Sequence, residues 1–231
     1  QTPLFLTQAA KPIVMLNISN DHQLYFKAFD DYSDLDDDGT PETTYKHSFD
    51  YYGYFDSYKC YDYSTTNNRF EPTGDVDSDK YCSGNWSGNF LNWASMARID
   101  TVRKMLYGGY RSTDTATLTV LERTFIPNDA HSFAKFYAGT DLNQLTPFST
   151  PDTDNGITLC NTTVNNTGAR SQNVTDAPLI RVAKGDYGLW ASNERWQCRW
   201  SGEKSASNSN VPADSGINSA SSNPDKSTKG L

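Results

Sequence analysis

Apolar positions along the 231 residues fall into short runs separated by long polar and aromatic stretches. Residues 11–19 (KPIVMLNIS) are apolar and rich in β-branched side chains, and predict a buried strand entered from a proline. In residues 21–29 (DHQLYFKAF), Leu24, Phe26 and Ala28 alternate with polar neighbours and predict a second strand. Residues 30–45 form an acidic loop. Residues 46–82 are tyrosine-rich and poor in aliphatics, and read as an irregular excursion. From residue 88 the period changes. Trp93, Met96, Ile99, Val102 and Leu106 make one stripe at helical spacing, predicting a helix over about 89–107 that Ser87 or Asn89 caps and Gly108–Gly109 stop. Residues 115–126 (TATLTVLERTFI) read as a strand. Residues 128–139 (NDAHSFAKFYAG) read as a short helix capped by Asn128 or Asp129. Residues 140–177 are turn-rich, 177–183 (APLIRVA) predict a strand, and 188–200 carry three tryptophans around Cys198.

The expected fold is α+β or α/β: a single domain over residues 1–200 with long irregular insertions. Residues 201–231 are Ser/Asn-rich with almost no apolar side chains, a tail or linker that cannot order itself through a core of its own. Such a tail could order by backbone pairing on an exposed strand edge, in the same chain or in a second copy.

Charge narrows the function. Twenty-eight acidic against 20 basic residues leave a net charge of −8, which argues against a general nucleic-acid binder. No apolar run approaches the roughly 20 residues of a membrane span. The first residues lack an initiator Met and a basic n-region, and read either as a mature terminus left by signal-peptide removal or as an arbitrary cut in a longer chain. Cys60, Cys82, Cys160 and Cys198 fit no zinc, redox or haem spacing. Their even number in an acidic, Tyr/Asn/Ser-rich chain points to two disulfides formed in an oxidising compartment, rather than to buried free thiols. Cys60–Cys82 and Cys160–Cys198 are the expected pairs, because each closes a local excursion.

The acidic loop contains Asp34, Asp36 and Asp38 followed by Gly39, the D-x-D-x-D-G core of a calcium loop. Alternate carboxylates converge when the backbone curls around an ion, the glycine permits the sharp turn, and the Thr40 carbonyl is the next ligand expected. Glu42 falls where such loops place a carboxylate or a water. Tyr45 occupies the closing position, normally a bidentate carboxylate, so Asp30, Asp31 or Asp50 would have to complete the shell. The alternative is a solvated acidic turn, which like-charge repulsion disfavours without a cation. No amphipathic helices flank the loop, so the expected role is a structural calcium clip.

Other motifs are weaker. His22, His47 and His131 form no H-x-x-x-H pair, and no nucleophile elbow, Walker loop or dinucleotide fingerprint is present. Tyr51, Tyr52, Tyr54, Phe55, Tyr58, Tyr61 and Tyr63 could fill a loop poor in leucine or form a sugar-stacking surface. Asn161 and Asn173 each begin an N-x-S/T triplet.

Three stretches carry a family resemblance: "DLDDDGTPETTYKHSFDYYGYFDSYKCYDY", "WSGNFLNWASMARIDTVRKMLYGGYRSTDTATLTVLERTFIPNDAHSFAKFY" and "PLIRVAKGDYGLWASNERWQCRW". In this order they resemble the N-terminal region of PilY-type proteins, which are type IV pilus tip-associated adhesins and pilus-biogenesis factors. The resemblance covers about residues 11–200. It implies a non-enzymatic extracellular module at the bacterial cell surface, on a pilus tip or fibre, serving attachment, biogenesis and motility. The partners implied are pilus subunits or minor pilins, with host or surface glycans as further partners of an adhesin. Members often carry a von Willebrand A-like module near this end, implying a degenerate core of that kind, and a calcium-binding β-propeller further along. Here Asn17 to Asp21 (NISND) replace the metal-adhesion D-x-S-x-S, and 231 residues leave no room for the propeller, as in a fragment of a longer chain or a short relative. Two other functions compete: a secreted carbohydrate-active enzyme or carbohydrate-binding module, and a fibre subunit that self-associates through its C-terminal tail.

Overall fold

In the computed structural model the described residues are 14–19, 21–126, 131–148, 156–163 and 179–186. A 3-10 turn, His22–Tyr25, is followed by β1 (Lys59–Ser64), β2 (Arg69–Asp75), β3 (Trp86–Ser87), α1 (Gly88–Ser95), α2 (Arg98–Tyr107), β4 (Arg111–Asp114), β5 (Thr119–Leu121), β6 (Phe133–Tyr137), α3 (Leu142–Leu145), β7 (Ile157–Thr162) and β8 (Leu179–Lys184). Three small sheets result, ordered β2-β1-β3, β4-β5 and β6-β7-β8. Every strand pairing is antiparallel, so no parallel von Willebrand A-like sheet forms among the described residues. The domain is mixed α/β with short helices, as its sequence implies.

All eight residues of α1 are buried, the pattern of a helix enclosed on every side. Phe90, Leu91, Trp93 and Ala94 sit in a core with Tyr45, Tyr51, Phe55, Phe70 and Trp86 on one side and Ile157, Leu159, Ile180 and Val182 of the third sheet on the other. Aromatic rings replace aliphatic volume here: Tyr45 lies against Tyr51, Phe90, Trp93 and Tyr137 with centroids 5.2–5.7 Å apart, in the range of favourable ring pairs.

The single helix expected over 89–107 is two helices. Ser87 caps α1 through a bond from the Phe90 N–H. Met96 and Ala97 are then extended, because Ala28 N–H donates to the Met96 carbonyl and Arg98 N–H to the Phe26 carbonyl, bridging Lys27 to Ala97. A helix cannot continue through residues whose backbone pairs with another strand. Gly108, with φ +85°, ends α2 in the left-handed conformation that suits glycine. Leu106, placed on the apolar stripe by periodicity, is exposed.

Further expectations are corrected. Residues 14–19 are not a buried strand: Val14, Met15, Leu16 and Ile18 are exposed in irregular backbone. Residues 21–29 contain the 3-10 turn, which Asp21 caps, and not a strand. The helix expected at 128–139 is instead β6. Its buried face is Phe133, Lys135 and Tyr137, and the lysine at the central position hides the alternation. Residues 46–82 form a hairpin and much of the aromatic core, more than an irregular excursion. The expectations for residues 188–200, for Cys198 and for the tail 201–231 fall outside the described residues.

Cys60 and Cys82 are disulfide-bonded, with Cα atoms 5.5 Å apart and 22 residues of separation. Cys160 is also oxidised, and its expected partner lies outside the described residues. Replacing Cys60 and Cys82 together by serine is expected to cost about 3 kcal/mol by the loop-closure relation. Urea midpoints of the two proteins measure this, and coincident midpoints would contradict it.

Behind the break between the helices lie two buried charges. The Arg123 guanidinium donates to the Ser95 carbonyl, Asn161 Oδ1 and the Thr162 carbonyl. Asn161 returns a bond to the Ala94 carbonyl at 2.8 Å, so this N-x-S/T asparagine is a buried bracket and not a glycan acceptor. Asp100 accepts the Thr124 N–H at 2.9 Å and the Tyr54 hydroxyl at 3.3 Å. Burial pushes its carboxyl up from 3.8 to about 6, against the opposing pull of the Thr124 N–H. Between these values the folded chain keeps a proton that the unfolded chain releases. The Asp100 contribution to stability therefore falls as pH rises from about 4 to about 6, by about 3 kcal/mol at most. Asp100→Asn should remove that component. The stability of the parent chain minus that of the variant should fall by about 2–3 kcal/mol between pH 4 and pH 7, read from denaturant unfolding. A difference that does not change with pH would contradict it.

Candidate metal centre

The acidic loop is held at both ends. At its entry, Asp31 adopts φ +63° and accepts from Trp93 Nε1 at 3.0 Å and Lys135 Nζ at 2.6 Å, with Lys27 Nζ at 3.4 Å. Lys135 is fully buried, also donates to the Phe29 carbonyl, and lies 4.5 Å over the Trp93 ring. Burial pulls its ammonium down to about 8, while Asp31 resists the change. At its exit, Tyr45 is an aromatic core residue whose hydroxyl accepts from Asn89 Nδ2 at 3.1 Å. The position that closes a linear calcium loop therefore serves here as an anchor to α1.

Between these anchors the Glu42 N–H donates to the Ser33 carbonyl and closes the neck. Asp34 accepts from the Asp38 and Gly39 N–H groups at 3.1 and 2.7 Å. Asp38 accepts from the Thr40 N–H at 2.8 Å. Gly39, at φ +87°, makes the turn that curls these residues together. One Glu42 oxygen accepts from the Leu35 N–H at 2.6 Å.

As a result Asp34, Asp36, Asp38 and Glu42 each present a carboxylate oxygen within 4.8 Å of the others. Oxygens at about 2.4 Å from a shared calcium ion on opposite sides lie about that far apart. Four of the five residues singled out in the sequence thus converge through their side chains, and Thr40 joins the loop through its N–H. The three carboxylates considered for completing the shell are engaged elsewhere. Asp30 accepts from the Tyr32 N–H and the Ser33 hydroxyl, Asp31 is bound as above, and Asp50 pairs with Lys80 and the Tyr58 hydroxyl.

Sequence reasoning missed Lys46. Its ammonium contacts Asp36, lies 3.1 Å from Glu42 and 3.6 Å from Asp38, and so sits among three of the four carboxylates. Its hydrogen bond holds the Asp36 carboxyl below the usual range. The signal was a lysine one residue beyond the twelve-residue loop pattern. Sequence reasoning also missed the pair Asn89 and Asn92, three apart on an otherwise apolar helix. Asn89 accepts the Tyr51 N–H and donates to the Phe49 carbonyl, both at 2.8 Å. Asn92 accepts the Phe55 N–H and donates to the Tyr51 and Phe55 carbonyls. These two amides fix the backbone that runs on from the loop. Of the histidines, His22 and His131 meet edge to face, and His47 stacks on Tyr81; they converge on no common centre.

Comparison with known proteins gives this domain a family. A family model described as "PilY1 homolog, small alpha/beta domain" matches residues 42–183, more than half of the chain. A "Type IV pilus biogenesis factor PilY1 homolog" of Xylella fastidiosa strain Temecula1 is 37% identical over 187 residues, which cover 78% of this chain and 12% of the relative. A second protein of that name from the same organism is 43% identical over 89 residues, covering 35% of this chain and 7% of its own length. The chain thus spans about an eighth of the first relative. No solved structure matches. With more than half of its length matched by the family model, the chain belongs to the PilY1 homolog family, whose small α/β domain it contains.

Proposed function

We propose that the chain is a non-enzymatic module of a type IV pilus-associated protein, displayed outside the cell, where it serves pilus biogenesis and surface attachment through contacts with pilus subunits or minor pilins. We further propose that its acidic loop carries one calcium ion on Asp34, Asp36, Asp38, Glu42 and the Thr40 carbonyl. The observation that carries the first part is the match to the family domain together with the names of the relatives, pilus biogenesis factors. The Cys60–Cys82 disulfide supports placement in an oxidising compartment. The second part rests on the four converging carboxylates. Their chemistry is hard oxygen, which suits calcium. They are tied to backbone N–H groups and to Lys46, which favours holding an ion over acid–base work by an enzyme. Calcium would have to displace the Lys46 ammonium, a monovalent stand-in tethered to the same cage.

The test uses the full-length protein in the bacterium that encodes it. Replacing Asp34, Asp36 and Asp38 together by asparagine is expected to reduce surface pili and twitching motility while the protein is still produced. Normal pili and motility in that strain would separate the loop from pilus function. Deleting the whole domain without effect on either would overturn the pilus reading.

A further inference from the structure

The segment that follows the loop builds a second site. An open cleft of about 540 Å³ is lined by residues 50–59, Tyr61 and Lys104. No aliphatic side chain lines it. Two large rings stand half exposed at the cleft, Tyr52 and Tyr58, while their neighbours Tyr51, Tyr54 and Phe55 are buried. Both exposed rings are held in place. The Tyr58 hydroxyl donates to Asp50 at 2.7 Å, and Lys80, itself 2.7 Å from Asp50, lies 4.8 Å from the centre of the Tyr58 ring. Lys104 reaches from α2, donates to the Gly53 carbonyl and lies 4.5 Å from the centre of the Tyr52 ring. The backbone beneath is fixed by Asn92, which bonds Tyr51 and Phe55. Asp56 adds a carboxylate to the lining.

We infer that this cleft binds an uncharged saccharide, with Tyr52 and Tyr58 as stacking platforms, Asp56 as an acceptor for hydroxyl groups and Asp50 as the group that holds the Tyr58 ring. The inference rests on the attachment reading above and gives it a ligand class. A pyranose presents a C–H face that packs on an aromatic ring and a rim of hydroxyls that needs acceptors. A protein loop would instead seek a deep apolar pocket for an anchor side chain, whereas this cleft is open, has no aliphatic lining and carries four charged side chains, Asp50, Asp56, Lys59 and Lys104. In the lining Asp50 and Asp56 are matched by Lys59 and Lys104, so the cleft has no surplus charge to select an ionic ligand. Rings already held by Asp50, Lys80 and Lys104 lose little freedom on binding.

The experiment titrates the whole chain with cellotetraose and, separately, with chitotetraose, followed by calorimetry and by chemical shifts. At least one sugar is expected to bind with a dissociation constant on the order of 1 mM, typical of a shallow open site. Tyr52→Ala and Tyr58→Ala should each weaken it about tenfold, and Tyr58→Phe, which keeps the ring, by no more than about twofold. Far-UV circular dichroism and thermal unfolding establish that each variant is folded, and shifts of the Tyr52 and Tyr58 ring signals in the parent chain on titration serve as the readout if an alanine variant is not. Binding of neither sugar, or binding indifferent to both alanine changes, would overturn the inference. So would loss of pilin binding by the full-length tyrosine variants together with no sugar binding, since the cleft would then dock protein. Cells carrying the tyrosine variants are expected to make normal pili. Failure of sugar binding with normal pili would therefore leave the pilus reading standing.

Discussion

Asn92→Ala is expected to destabilise the domain by about 4 kcal/mol, the largest effect of any single change considered. The side chain is fully buried in the middle of α1. Its amide accepts the Phe55 N–H at 3.0 Å and donates to the Tyr51 and Phe55 carbonyls at 2.9 Å each. Alanine leaves these backbone groups in a place water cannot reach, and each unsatisfied group costs about 1–3 kcal/mol. The Tyr51 carbonyl keeps a bond from Ser57, so the sum stays below the maximum. Gly53 belongs to the same joint: a Cβ there would fall 2.1 Å from Asn92 Oδ1 and 2.6 Å from Met96 Cγ. Gly53→Ala should therefore also destabilise, and the two changes together should cost less than their sum, because alanine at 92 removes the clash with the asparagine and leaves only that with the flexible Met96 side chain. Urea unfolding of the two single variants and the double variant measures this. A loss below about 1 kcal/mol for Asn92→Ala would show that the loop backbone finds other partners.

Lys135→Met is expected to cost about 3–4 kcal/mol. Methionine matches the volume of the stem, so packing against Trp93 is largely kept. The ammonium is lost, however, from the Asp31 carboxylate at 2.6 Å and from the Phe29 carbonyl. Removing one member of a buried pair costs about 3–5 kcal/mol because the other charge stays behind; Trp93 Nε1 and Lys27 remain to bind Asp31, which places the effect toward the lower end. The variant should also loosen the entry of the acidic loop, seen as faster amide exchange at residues 32–44. A methionine variant as stable as the parent would mean that the pair only offsets its own desolvation.

The candidate site was more legible in the sequence than the fold around it. Asp34, Asp36, Asp38 and Glu42 follow a linear pattern within one loop, so their convergence needs only local curling around Gly39. Lys46, Asn89 and Asn92 act across the fold, and a lysine or asparagine carries no local sign of where its partner lies. The same reason explains the misread elements. The helix over 89–107 is periodic throughout, but a bridge from Lys27 to Ala97, seventy residues later, divides it. In β6 a buried lysine occupies a core position that alternation assigns to an apolar side chain, and its distant partners Asp31, the Phe29 carbonyl and the Trp93 ring make that burial tolerable. The exposure of residues 14–18 likewise contradicts their composition. The Cys60–Cys82 closure was legible because both cysteines bracket one excursion.

The most direct test of the account is calcium itself. Thermal unfolding of the chain, run in millimolar calcium chloride and again in excess chelator, should show a higher midpoint with the ion. Calcium at a hundred times its dissociation constant adds about 2.7 kcal/mol, or roughly 5–10 °C for a domain of this size. Asp36→Asn combined with Asp38→Asn should abolish the shift. Lys46→Gln should enlarge it at low calcium, because the ion no longer has to displace the tethered ammonium. Identical midpoints in calcium and chelator, for the parent and for Lys46→Gln alike, would contradict the account and leave the loop an acidic turn neutralised by its own lysine.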